Sequence, residues 1–308
     1  MARLYRYLFL FTAVIGSVFF MCKSRPYEMV SPTTGRVRIA LDENLRDIIQ
    51  QEKEVFESKY KYASIDLVNM SETPLLNGLY NDSIKAAFLA RNLSEKELNY
   101  FHQKQIFPKP VLFATGALAF IVSNKFQDTA YTYETLLSYL MDPNKGKKFI
   151  IENSKSGIAA EIMHLIHQDT LPPHFYAKQT KTEIYDYIHQ DLSAIGIIDY
   201  SDISDSDLPS TKALYLTSNL LAIARPKDST QHGYLRPYQY NLQDRLYPFT
   251  RDLYFVSTSG LNDVAQGFIA FVAGDIGQKV ILKAGLLPKY QSERWIELKS
   301  SPKPVIER

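Results

Sequence analysis

Four residues whose types suit anion chemistry stand together in the stretch ENSKSGIAAEI (152–162): Ser154, Lys155, Ser156 and Gly157, directly before an apolar-periodic run. One reading is plain helix capping. The other is an anion seat, because the first N–H groups of a helix are unpaired and carry partial positive charge. Ser156 would add a hydroxyl donor, and Gly157 would let a backbone N–H approach closely. Two further segments share the pattern of strand, small polar turn and apolar-periodic run. They bring Asn44, after Asp42 and Glu43, and Arg91, after Ala90. The Arg91 guanidinium is suited to a bidentate contact with an oxyanion. In open α/β folds ligands bind where strand C-termini meet helix N-termini, the place these three segments are expected to share. Taken singly, each is more often a cap than a ligand site.

Other chemistries find less support. His164 and His167 are spaced i,i+3 on a helix with His174 downstream, but a metal would need a third ligand held in place, and no HExxH or Cys-rich spacing supplies one. Surface histidines on an amphipathic helix are the better reading, and a metal-dependent hydrolase is the weakest of three functional hypotheses. The chain has no G-x-S-x-G elbow, no GxxxxGK[ST] loop and no GxGxxG loop. Ser154 and Lys155 are adjacent, and neighbouring side chains rarely face one point.

The elements that would position these residues follow from periodicity. RVRIAL (36–41) alternates as a first strand, and the segment after it places Leu45, Ile48, Ile49, Val55 and Phe56 on one helical stripe, with Asp42 or Asn44 as cap. SIDLVNM (64–70) reads as a second strand. A capping box, Ser94-x-x-Glu97, opens a helix over 91–104. VLFATGALAFIVS (111–123) is a near-continuous apolar run interrupted at Thr115 and Gly116, as suits a buried strand crossing between two lobes. Residues 132–142 read as a helix, GKKFIIEN as a strand, IAAEIMHLIHQ as a helix with Ile158, Ile162, Leu165 and Ile166 on one face, and AIGIIDY and SNLLAIARP as buried strands. The segment 226–250 reads as a connecting loop, 252–257 as a strand, and 261–288 as two amphipathic helical pieces stopped by Gly285 and Pro288. Strands alternating with helices predict an α/β fold with mainly parallel sheets.

The chain has 308 residues, 45% hydrophobic and 22% charged, an ordinary globular composition. Lys+Arg 35 against Asp+Glu 33 leaves a net charge of +2 with no basic block, which disfavours a nucleic-acid partner. Arg3 and Arg6 precede an apolar run at 8–21, and the single cysteine, Cys22, closes it. That is a charged n-region and an h-region of signal-peptide length, followed by a cysteine where lipidation would anchor the mature chain to a membrane. Phe20 and Met21 are bulkier than the small residues usual before such a cysteine. Residues 1–21 are thus expected to be a lipoprotein signal peptide and 22–35 a polar tether.

The block TRDLYFVSTSGLNDVAQGFIAFVAGDIGQKVILKAGLLP (250–288) resembles the phosphate ABC-transporter substrate-binding family, in its short Bacteroidetes-type lipoprotein form. Arg251 matches the family's arginine strand. Gly267, Phe268 and Phe271 match its G-F-x-x-F signature, and Gly277 and Gln278 through Pro288 match its G-Q-x-I-x-x-x-G-L-x-P signature. IALDENL, FLARNLSEKEL and SKSGI resemble, more briefly, the opening strand-to-helix turn, the arginine segment and the phosphate loop. The resemblance covers about 36–290. It implies a type II periplasmic binding protein fold: two α/β lobes with the ligand cleft between them. Lobe one would be 36–115 plus 250–308, lobe two 116–235, and 236–249 a connecting loop. It implies Asn44, Arg91, Ser154, Ser156 and Gly157 as ligand residues, no cofactor, and no covalent chemistry. The implied role is an extracytoplasmic, monomeric lipoprotein that captures phosphate or a related oxyanion and delivers it to an ABC permease. The chain departs from the pattern at Ala90, Ile158 and Glu152, where the family offers a hydroxyl or carboxylate, a threonine and often a basic residue, although Lys155 puts a positive charge near Glu152. Two hydroxyl donors are absent, at a cost of about 1–3 kcal/mol each in a buried oxyanion site. Those departures motivate the alternative: a binding or scaffold lipoprotein that keeps the fold without the oxyanion.

Overall fold

Alternating and β-branched residues make the first strand longer than RVRIAL alone: β1 spans Thr34–Asp42 in the computed structural model, which describes residues 30–227, 232–260 and 262–290. Cys22, the apolar run before it and the polar tail 291–308 lie outside the described residues. After β1 come α1 (Arg46–Lys59), β2 (Tyr62–Met70), α2 (Glu72–Tyr80), β3 (Ala86–Leu89), α3 (Glu95–Gln103) and β4 (Val111–Ser123). The middle of the chain forms β5 (Ala130–Thr132), α4 (Tyr133–Met141), β6 (Lys148–Ile151), α5 (Gly157–Leu165), β7 (Phe175–Ala177), α6 (Lys181–Gln190) and β8 (Ala194–Asp199). The remainder forms α7 (Pro209–Thr217), β9 (Ser218–Leu220), β10 (Ala222–Ala224), β11 (Tyr234–Leu235), α8 (Gln239–Gln243), β12 (Thr250–Ser257), α9 (Val264–Val272), α10 (Asp275–Lys283) and β13 (Leu287–Pro288).

The strand β4 organises the molecule. Its apolar run is buried from Phe113 to its end, as a strand covered on both faces requires. Its first half pairs antiparallel with β12, Arg251 opposite Gly116, and its second half with β8, Leu118 opposite Asp199. One sheet therefore runs β2-β1-β3-β12-β4-β8-β6-β7, with β9 and β13 added against β4. The buried core divides on either side of this strand. One cluster gathers Phe56, Phe88, Phe113, Phe255 and Phe268, with Phe88 edge-on to Phe113 at 5.3 Å. A second gathers Phe120, Phe149, Ile162, Ile195, Tyr247 and Phe249, and a third Leu75, Leu79, Leu89, Phe101 and Val256.

The pairing corrects the expectation of mainly parallel sheets. β1–β2, β1–β3, β6–β7 and β6–β8 are parallel, but every contact of β12 and β4 is antiparallel. The reason is that β4 and β12 carry the chain between the halves in opposite directions. SNLLAIARP is not one strand either. It breaks at Leu221 into β9, on the main sheet, and β10, which joins β11 and β5 in a small second sheet. The segment 226–250, read as loop, holds β11 and the short helix α8.

Several sequence signals of the C-terminal block turn out to serve packing. Gln278 is buried and donates from Nε2 to the carbonyls of Phe113 (3.1 Å) and Val272 (2.8 Å), while its Oε1 accepts from Tyr290 N (2.7 Å). It thus fastens α10 to α9 and β4. Gly277 sits so close to the end of α9 that an added Cβ would lie 2.5 Å from Val272 Cα.

Candidate ligand-binding site

Asp42 closes β1 with its side chain fully buried, and its short carboxylate does what a cap does. Oδ1 accepts from the backbone N (3.0 Å) and from Nδ2 (2.7 Å) of Asn44, holding the single 3-10 turn of residues 43–45 at the entrance to α1. Asn44 is therefore buried as expected of a cleft residue, but its amide already donates to Asp42, and its Oδ1 has no partner. Asp42 Oδ2 has none either.

From the other half of the sheet, Ser156 caps α5. Its Oγ accepts from Ala159 N (3.2 Å) and donates to Asn153 O (2.7 Å). Gly157 follows as the first helical residue, and the reason for a glycine is visible: a Cβ there would stand 2.3 Å from Asp42 Oδ2 and 3.1 Å from Arg251 Nη2. The end of β1 and the start of α5 thus meet across the middle of the molecule, and Asn153 Nδ2 adds a 2.9 Å bond to Glu43 Oε1 across the same boundary.

Beneath them lies Arg251, on β12, which donates from Nη1 to Asp199 Oδ2 at 2.8 Å; the two side chains are 1% and 0% exposed. Asp199 ends β8 and also accepts from Ser201 N and Oγ, whereas Arg251 Nε has no partner. Burial pushes the Asp42 carboxyl above its ordinary range, Arg251 and the Asn44 bonds oppose that rise, and Asp199 adds to it. At this point, then, a helix start, a guanidinium and two carboxylates share a buried space.

Arg91 is placed at the rim. Glu97 takes its guanidinium by two bonds of 2.8 Å and Glu72 Oε1 accepts from Nε at 2.8 Å, so its fork is held by two carboxylates of the chain. Glu97 at the same time completes the capping box of α3 with Ser94. Glu72 opens α2 and is buried; burial raises its carboxyl despite Arg91. Ser154 is exposed together with Lys155. A cavity of about 370 Å³ lies between Glu72 and Thr73 on one side and Ser154, Ser156, Met163 and Leu171 on the other.

The structure therefore brings Asn44, Ser156 and Gly157 together, sets Ser154 at the mouth beside them and holds Arg91 beyond Glu72. Asp42, Glu72 and Asp199 are not among the residues that the sequence alone singles out as ligands. The sequence marks Asp42 only as a candidate cap, and Asp199 lies one residue before the end of the apolar segment AIGIIDY. A carboxylate ending a buried apolar strand was the available signal for both. His164 and His167 are exposed, with ring centroids 6.5 Å apart, and the described residues contain no cluster of three or more His, Cys, Asp or Glu suited to a metal ion. His174 is buried, with Nε2 2.9 Å from the Tyr139 carbonyl oxygen.

The fold defines the class. A family model described as PBP superfamily domain matches residues 28–275, and the chain belongs to that family, whose members have the mixed α/β fold of periplasmic binding proteins. No curated protein matches the sequence. Among solved structures, the chain is similar to an ABC-type phosphate transport receptor from Vibrio cholerae, at 14% identity and TM-score 0.64, covering 82% of this chain and 100% of that one. It is similar also to a protein from Clostridium perfringens assigned as a phosphate ABC transporter substrate-binding protein and holding phosphate, at 15% identity and TM-score 0.64, covering 82% and 99%. A third is the regulatory domain of Synechocystis CcmR in complex with 2-PG, at 15% identity and TM-score 0.51, covering 78% and 96%. These identities establish the shared fold. They leave the ligand to be argued from the cleft.

Proposed function

We propose that this chain is an extracytoplasmic solute-binding lipoprotein that captures phosphate or a related oxyanion between two lobes and passes it to an ABC permease. No covalent chemistry is involved. The observation that carries the reading is the meeting of the start of α5, with Ser156 and Gly157, and the end of β1 with the turn holding Asn44, beside the buried guanidinium of Arg251. Helix N–H groups and a guanidinium aimed at one place are the elements of an oxyanion site. The lobes are taken as 36–115 with 250–308, and 116–235, meeting along β4. Closure of one on the other would order Asn44, Ser154, Ser156 and Gly157 around the anion, with Arg91 turning in from Glu72. Export and anchoring through Cys22 rest on the charged start and apolar run before it. No helix among the described residues is long and apolar enough to cross a membrane.

A second reading is favoured by one specific observation: both arginines are already engaged by carboxylates of the chain, Arg251 by Asp199 and Arg91 by Glu72 and Glu97. On that reading the protein keeps the fold and binds no oxyanion. Calorimetric titration of the purified protein, freed of carried-over ligand by unfolding and refolding, separates the two. One-to-one binding of phosphate, weakened in Ser156→Val and Arg91→Ala, is the expected result. Heat from none of phosphate, sulfate or molybdate, with a protein shown to be folded, would overturn the first reading.

A further inference from the structure

The place where an oxyanion would sit against α5 is already faced by a negative group of the chain itself. Asp42 Oδ2 lies so near Gly157 Cα that no side chain fits between them, and the same space is bounded by Arg251 Nη2. The first-turn N–H groups of Gly157 and Ile158 find no acceptor among the described residues, since Ser156 caps only Ala159. Asp42 Oδ2 likewise has no donor, although its side chain is fully buried. The nine-residue helix α5 thus presents its positive end to an unpartnered, buried carboxylate oxygen.

The second half of the argument is charge. Asp42 faces Arg251 from β12, Asp199 from β8, Glu72 from the start of α2 and Glu43 beside it in the chain. From α5 it meets Gly157, and Lys155, two residues before that glycine, is exposed. Arg251 is the one cation among these groups, and Asp199 already holds it. A second anion entering beside an ionised Asp42 would meet a like charge at short range in a poorly screened interior, where such pairs are strongly unfavourable.

We propose that Asp42 is a built-in competitor for the anion seat: an external oxyanion occupies the start of α5 only when Asp42 is neutral or has turned away. The inference rests on the oxyanion reading of the cleft given above. It assigns Asp42 a control over affinity that none of the short motifs of this chain reveals. Gly157 has a role here too, because it is the residue that gives the carboxylate room. Burial, which favours the neutral carboxyl, makes protonation the route by which acid opens the seat.

The test is titration of wild type, Asp42→Asn and Asp42→Ser with phosphate and with sulfate at pH 5.5 and pH 8, each protein checked for folding by circular dichroism. Sulfate stays a dianion across that range, so a pH effect on its binding belongs to the protein. Expected is sulfate binding by wild type that tightens as the pH falls from 8 to 5.5. Asp42→Asn should bind both anions at pH 8 at least tenfold tighter than wild type and lose most of the pH dependence; Asp42→Ser should do the same if the amide variant is misfolded. Wild-type affinity that is flat with pH, together with equal or weaker binding by the neutral variants, overturns the competitor role and leaves the oxyanion reading standing. Folded variants and wild type that bind neither anion at either pH overturn the oxyanion reading, and the competitor role falls with it.

Discussion

Two buried polar regions beside β4 are built to different rules. At Gln278 every polar atom of the side chain is used: two carbonyls and one N–H of the backbone, each from a different element, hold α10 in place. At the cleft, Asp42, Asn44 and Arg251 are just as buried, yet each keeps an atom without a partner. A buried polar group left unpaired costs about 1–3 kcal/mol, so the open network at the cleft carries a cost that the completed one at Gln278 does not. The comparison also explains why the family resemblance is strongest in the C-terminal block. Gly277 and Gln278 answer to backbone geometry, which the fold imposes whatever the ligand. The chain departs from the family's pattern instead at Ala90, Glu152 and Ile158.

That contrast can be broken from either side. The largest effect is expected at the cleft, where Arg251→Ala strands Asp199 in the interior and should lower unfolding free energy by about 3–5 kcal/mol. Denaturant titration reads this, and the double variant Arg251→Met, Asp199→Leu should lose clearly less than the two single changes added together.

A different test concerns Glu52, which lies on the buried face of α1 with neither carboxylate oxygen partnered; burial raises it to about 8. Because the folded chain holds this proton more tightly than the unfolded one, stability falls as pH rises from 4.5 through 8 and levels off above. The slope is about 1.4 kcal/mol per pH unit within that window. The gap in unfolding free energy between Glu52→Leu and wild type should therefore widen in favour of the variant from pH 5 to pH 8. A gap that does not change with pH would mean the carboxyl is not held neutral by its surroundings.

On the completed side, Gln278→Ala removes three hydrogen bonds and should cost about 2–4 kcal/mol without changing anion affinity. Loss of binding in that variant would erase the distinction drawn between the two regions. The smallest effect belongs to Ser156→Ala, about 1 kcal/mol for the lost cap of α5, read as a fall in midpoint temperature. A much larger loss would mean that the hydroxyl does more than cap.

Much of this molecule was legible one segment at a time. The stripe of Leu45, Ile48, Ile49 and Phe56 is buried in α1 or at its entrance, the Ser94 and Glu97 capping box forms, and the apolar run 111–123 is the buried strand joining the two halves. Glu52 falls on the same helical stripe, and its burial was readable from its spacing. Such features depend on residues within a turn or two of each other, and period and caps record that distance well. The split of SNLLAIARP and the direction of β12 were not readable, because an apolar run carries no mark of which strand it will pair with.

The cleft shows the same limit. Ser156 could be recognised as a helix start from its neighbours, and the sequence by itself determined that cap, the glycine after it and the apolar strands that end in Asp42 and Asp199. Only the tertiary structure decided that Asp42, Gly157, Asp199 and Arg251, drawn from across the chain, would stand at one point. The physical reason is that β4 pairs with β12 over one half and β8 over the other, and this long-range register brings together charges that no local pattern relates.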